Sequence, residues 1–329
     1  MIFKEKLKTK NKIFLDGGNG SEIEKLGGDM SPAFAALATK TSPEIVIQVH
    51  ENFIEAGCDI ITANTFATNR HVLSSLKCDN ETVKFLSESV GLAKKAIKNS
   101  NKENKVAVAG SLSNFFALKE NEFVPNPKFV PSYSQEEKNY IEAANILKDS
   151  GADILLLEML LDIDHSKMLL NAALKTGLPV WVGLSCCINK FDNTVIGRNF
   201  RAEKEKSLIY DENKYKEQPS FLPEDKIILL EDIVKSLTRI GGDVYGIMHT
   251  WFQDSSQGLR VLKENWNGPI MFYPEIHKFD TSTHKAIITS TEEEFANSCI
   301  DLIDDSIQII GGCCGVTHNH LKNLIERFS

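Results

Sequence analysis

Eight times along this 329-residue chain, a short run of aliphatic residues leads through a turn into a longer amphipathic stretch. The runs fall at 13–16, 59–63, 106–110, 154–158, 180–185, 244–249, 270–273 and 307–310. Stretches with helical spacing fall at 43–56, 81–98, 135–150, 165–176, 225–240, 257–265, 292–304 and 317–327. Apolar runs without alternation suit strands covered on both faces, the condition of a parallel sheet flanked by helices. Eight such units predict an α/β fold, a (β/α)8 TIM barrel. A doubly wound open sheet shares this periodicity and remains the competing arrangement. With no internal repeat or low-complexity tract, a single domain over 1–329 is expected. Two loops are long: 114–131 after strand 3, with three prolines and four phenylalanines, and the charged segment 189–223 after strand 5. Loops of that length are expected to act as lids, binding loops or oligomer contacts, the second being partly disordered.

The net charge of -8 argues against a nucleic-acid partner, which calls for a basic face. No stretch has the apolar length of a membrane span, and residues 1–12 lack the apolar core of a signal peptide. A cytoplasmic, reducing setting is therefore expected, with no membrane partner. The seven cysteines agree: an odd number with two vicinal pairs makes a poor disulfide framework and fits metal or thiol chemistry. Cys58, Cys78 and Cys299 read as small core residues. His277, His284, His318 and His320 read as solvated or capping residues. Oligomeric state has no signature in the sequence.

A barrel places its chemistry at the C-terminal ends of its strands. Those positions hold Asp16, Asn64 and Thr65, Ser111, Glu158, Ser185 with Cys186, His249, Tyr273 with Glu275, and Cys313 with Cys314. The last pair lies in Gly311-Gly312-Cys313-Cys314-Gly315, where two thiolates on one tight turn are able to grip a soft cation such as zinc. Asp16 opens a loop with three glycines in four positions, whose exposed N–H groups suit a carboxylate or phosphate; a tight connection needing positive φ is the alternative. Glu158 follows four aliphatics and must meet a cation or amine, in a ligand site or in a structural ion pair. His249 closes an apolar strand, either as a core histidine or as a metal ligand. One of Cys186 and Cys187 points inward by alternation and is a further ligand candidate.

With these residues in place, the chain resembles the homocysteine S-methyltransferase family over nearly its full length. The resemblance rests on Leu15-Asp16-Gly17-Gly18-Asn19-Gly20-Ser21-Glu22, on residues 56–66 ending Ala63-Asn64-Thr65-Phe66, on Ala109-Gly110-Ser111, on 151–158, and on the glycine-flanked cysteine pair. It implies a (β/α)8 barrel with zinc (Zn2+) held by three cysteines, so Cys313 and Cys314 would be ligands. It further implies that Asp16 and Glu158 hold the ammonium of an amino-acid substrate and the amides of Gly17 and Gly18 its carboxylate. The implied reaction moves a methyl group from a small-molecule donor of onium type to the thiolate of homocysteine, giving methionine.

Three departures from the family pattern are visible. The sixth strand ends Gly246-Ile247-Met248-His249 where the family has a cysteine, so either His249 completes a Cys₂His zinc site, which is the expectation, or the zinc site is altered. Tyr273-Pro274-Glu275 replaces a Tyr-Pro-Asn sequence, adding an acid able to bind a cationic group or the metal. Ala67 and Met159 stand where a betaine-using branch has aromatics, leaving Trp251, Phe252 and Tyr273 as candidates for an aromatic wall around the donor. Asn64 and Thr65, with Tyr273 and Glu275, complete the expected substrate-binding residues. Two other readings are a divergent methyltransferase with another thiol acceptor or donor, and a non-catalytic barrel that binds an amino acid or a metal.

Overall fold

The computed structural model describes residues 2–30, 33–119, 125–189, 191–197, 227–280 and 285–328. All eight expected strands form, and they lie in one parallel sheet. The strands are β1 (Ile13–Phe14), β2 (Ile60–Ala63), β3 (Ala107–Ser113), β4 (Ile154–Leu160), β5 (Val180–Leu184), β8 (Val244–Trp251), β9 (Ile270–Glu275) and β12 (Ile307–Ile310). Their order is β1-β12-β9-β8-β5-β4-β3-β2, and a parallel bridge from Leu15 to Ile60 joins the two ends. The sheet is thus a closed (β/α)8 barrel, which removes the open-sheet alternative and leaves no free strand edge.

Period two decides which side chains fill the barrel. Ile13 and Leu15, Ala107 and Ala109, Ile154 and Leu156, and Met271 and Tyr273 belong to the inner cluster, with Trp181 and Met248. The intervening residues, such as Val108, Leu155, Leu157, Val182, Ile247 and Phe272, pack outward against the helices. Both faces are apolar, which is why the runs show no alternation. Helices form at Pro43–Glu55, Thr82–Asn99, Tyr133–Asp149, Asp164–Leu174, Leu230–Thr238, Phe252–Asn265, Glu292–Leu302 and His318–Glu326, close to the expected spans.

Three elements were not foreseen. The helix Ile2–Thr9 lies across the N-terminal end of the barrel: Phe3 is 2 % exposed and meets Trp181 edge to face at 6.0 Å. Lys6 ties it to Asp59 at 2.6 Å, and Gln308 Nε2 donates to the carbonyls of Lys6 and Leu7. Phe3 and Leu7, one helical turn apart, were the signal. Two antiparallel hairpins, β6 (Cys186–Ile188) with β7 (Val195–Gly197) and β10 (His277–Asp280) with β11 (Lys285–Ile288), follow the fifth and seventh barrel strands. Most of the 189–223 loop, and so its expected role as lid or oligomer contact, lies outside the described residues, as does His284. Among the described residues, no helix is long and apolar enough to cross a membrane.

Candidate metal and amino-acid site

Strict alternation along β8 would turn His249 away from the barrel, because Met248 already points inward. The strand avoids this with a bulge: its pairing with β9 shifts register between Met248 and Trp251, and His249 takes φ +42. A non-glycine residue in that region costs about 1 kcal/mol or more, so the surroundings must enforce it. The result is convergence. His249 Nδ1 and Cys314 Sγ lie 3.9 Å and 3.9 Å, respectively, from Cys313 Sγ, and the three donor atoms fall within 4.8 Å of one another. Tetrahedral zinc with ordinary Zn–S and Zn–N bonds holds its ligand atoms about 3.6–3.8 Å apart. The set therefore fits a zinc ion with little movement.

The two thiols are unequal. The hydrogen bond from Cys313 pulls the Cys314 thiol well below the usual cysteine range, and His249 assists. The same hydrogen bond, with burial, pushes Cys313 up. One thiolate is thus already favoured in the ligand-free pair. Glu275, 1 % exposed at the end of β9, places Oε2 3.0 Å from His249 Nδ1 and 3.9 Å from His277 Nδ1. His277 therefore borders the site and is not a solvated residue as the sequence suggested. The signal was available: residues 275 and 277 are two apart in extended chain and share a face.

Across the barrel mouth, Asp16 is 2 % exposed and accepts hydrogen bonds from Thr62 N at 2.7 Å, Thr62 Oγ1 at 2.7 Å and Asn19 Nδ2 at 2.8 Å. Burial outweighs these donors and raises its pKa to about 6. Burial likewise raises Glu158 to about 7, against a short hydrogen bond from Ser111 Oγ. Here too a bulge is present, a register shift between Leu157 and Leu160 with Met159 at φ +58. Glu158 is electrostatically coupled to Asp16, Cys314 and His249, and the Tyr273 hydroxyl to Glu158, Cys313 and Asp16, so both halves share one neighbourhood. Tyr273 is buried and its Oη meets no hydrogen-bond partner among the described residues. It lies close over Gly183, where a Cβ would come within 2.2 Å of the hydroxyl.

The remaining expectations divide. Gly18 N–H already donates to Val316 O at 2.9 Å, which withdraws it from ligand binding; Gly17 N–H has no acceptor among the described residues. Both glycines are needed for close approach of this loop to the cysteine turn, since a Cβ on Gly17 would lie 2.3 Å from Val316 O and one on Gly18 2.8 Å from Cys313 O. Asn64 Nδ2 donates to Ala35 O at 2.7 Å and Thr65 Oγ1 to Ser111 O at 2.8 Å, so both brace the strand ends. Phe252 packs outward on Phe272 and Phe295 and takes no part in a wall at the barrel mouth. Aromatics gather elsewhere: Phe34, Phe66 and Phe115 lie 4.9–5.8 Å apart, beside Met159. Cys186 sits in the outer core and Cys187 against Ile196, so neither joins the sulfur pair. Cys58 and Cys299 are core residues as expected, whereas Cys78 is half-buried. His320 caps the last helix through Thr317, and His318 pairs with Glu22 at 2.7 Å.

Comparison with known proteins agrees with the barrel fold and shows the family. The homocysteine S-methyltransferase family profile matches residues 13–208 and 228–328. Homocysteine S-methyltransferase 2 of Zea mays is 22% identical, over 94% of this chain and 88% of its own length. Selenocysteine methyltransferase of Astragalus bisulcatus is 22% identical, over 95% and 91%. Among solved structures, the metallated form of the homocysteine methyltransferase MmuM from Escherichia coli superposes with a TM-score of 0.68 at 18% identity, covering 99% of both chains. The chain belongs to the homocysteine S-methyltransferase family.

Proposed function

We propose that this protein is a zinc-dependent S-methyltransferase that converts homocysteine to methionine with a small onium-type donor. The observation that carries the reading is the convergence of His249, Cys313 and Cys314 within 4.8 Å, next to two buried carboxyl groups. His249, Cys313 and Cys314 are the residues that would hold zinc. When bound, the ion lowers the pKa of the acceptor thiol, so that homocysteine presents a thiolate near neutral pH.

The chain's own residues do the rest. Asp16 and Glu158 receive the ammonium group, whose charge compensates carboxylates that burial disfavours. Gly17 N–H offers a donor to the substrate carboxylate. Tyr273 Oη, buried without a hydrogen-bond partner among the described residues, supplies a hydrogen bond to a bound polar group. With the amino acid anchored at both ends, its sulfur is aimed at the metal-ligand side. Methyl transfer then needs only an in-line displacement at the donor, and no proton moves in that step. On the donor side, Met159 touches both the inner barrel cluster and the Phe34–Phe66–Phe115 group. Those rings replace the expected wall and suit a sulfonium or quaternary ammonium centre.

The test is zinc quantification on purified protein together with methionine formation from homocysteine, offered S-methylmethionine, betaine and related sulfonium donors. About one catalytic zinc, lost with activity in His249→Ala and Cys313→Ala, is the expected outcome. Failure of every donor with zinc bound would remove the assigned reaction.

A further inference from the structure

Cys314 also belongs to a second donor set. Its sulfur, a Glu275 carboxylate oxygen and a His277 ring nitrogen lie within 4.8 Å of one another, and this set does not include Cys313 or His249. We propose that the chain carries a second divalent-cation position, ligated by Glu275, His277 and Cys314, with the Cys314 sulfur shared between the two positions. The proposal rests on the reading of Cys314 as a metal ligand.

Three features support it. His277 Nδ1 is shielded from solvent and meets no hydrogen-bond partner among the described residues. A buried polar nitrogen left so is costly, and a ligand role removes the cost. Next, the spacing is set by main chain and not by mobile side chains. Cys313 N–H donates to Pro274 O at 2.8 Å and Ile276 N–H to Cys314 O at 3.1 Å, which laces the end of β9 to the cysteine turn. His277 then folds over Gly315, whose φ of +85 favours glycine and whose missing side chain leaves room: a Cβ there would lie 3.1 Å from that of His277. Third is charge. Glu275 is almost fully buried at the end of β9, where a carboxyl group is costly unless cations or hydrogen-bond donors surround it. Mixed sulfur, nitrogen and oxygen donors suit zinc or a neighbouring divalent transition metal. A cation drawing on the shared sulfur weakens that sulfur as a donor to the first position and so strengthens the pull there on an incoming thiolate.

The experiment uses metal-stripped full-length protein titrated with Zn2+ in a non-coordinating buffer, with bound ions counted by native mass spectrometry. Two ions per chain are expected at saturation, one in His277→Ala and one in His249→Ala, with unchanged circular dichroism. Affinity for the second equivalent is expected to fall at least a hundredfold in His277→Ala. His277→Gln, which keeps bulk and polarity, repeats the count where alanine loosens the turn. Saturation of the unsubstituted protein at one ion overturns the second position and leaves the methyltransferase reading standing. Retention of both ions by the two His277 variants also overturns it. No binding of any ion overturns both readings.

Discussion

Glu158 and Asp16 titrate at about 7 and about 6 in the ligand-free protein, and an ammonium group binds only their ionised forms. Homocysteine affinity is therefore expected to fall as pH drops below 7, with a steeper fall below 6 as the second carboxylate protonates. Glu158→Gln should raise the KM for homocysteine about 30-fold, the worth of a charge-assisted hydrogen bond, and remove the limb near pH 7. Steady-state kinetics across pH 5.5–8 checks both. Stability runs the other way. Both acids hold protons to higher pH when folded than when unfolded, so their contribution is full below about pH 4 and is lost as pH rises through 6 and 7. For Asp16 alone the shift from 3.8 to about 6 corresponds to about 3 kcal/mol in full, of which about 1.5 kcal/mol falls between pH 5 and 8 and is readable by urea unfolding of ligand-free protein at those two values. At this scale Asp16, Glu158 and the cysteine pair were legible, because charged or thiol residues closing aliphatic runs have few structural uses. His277 was legible only in part: its spacing of two from Glu275 puts both on one face, but nothing in its loop announces that β9 is laced to the cysteine turn.

Two strand elements owe their function to irregularity. The bulges that carry Met159 and His249 at positive φ break the alternation of β4 and β8 where the barrel mouth begins. Runs of identical character on both faces give no sequence sign of such a shift, so the inward turn of His249 was not deducible from periodicity. Helices and strands themselves were legible, since aliphatic runs and 3.6-residue spacing survive any tertiary arrangement. The N-terminal helix shows the opposite case, a charged stretch whose few apolar residues matter because the barrel floor needs filling. Truncation by Phe3→Ala is expected to lower unfolding free energy by about 3 kcal/mol, with kcat unchanged because the substitution lies at the far end from the cysteines. Chemical denaturation and a methylation assay distinguish this from damage to the site.

For the molecule as a whole, the candidate metal ligands come from β8 and from the turn after β12, separated by about 64 residues of chain. An ion bound there joins strand ends and stabilises only the folded barrel. Removal with a strong chelator is expected to abolish methylation and to lower the melting temperature by several degrees. Binding at 1,000 times the dissociation constant adds about 4 kcal/mol, and re-addition of zinc should restore both, as followed by calorimetry. The sequence by itself determined the layer plan, the number of strand–helix units and the residue types at the strand ends, because these follow from local periodicity and from which groups tolerate burial. Closure of β1 onto β2, the aim of His249, the withdrawal of the Gly18 amide and the approach of Glu275 and His277 to the sulfurs were decided only by the tertiary structure. Each depends on how far one strand slides and twists against its neighbour, a quantity set by packing across the whole barrel and encoded in no single stretch of the chain.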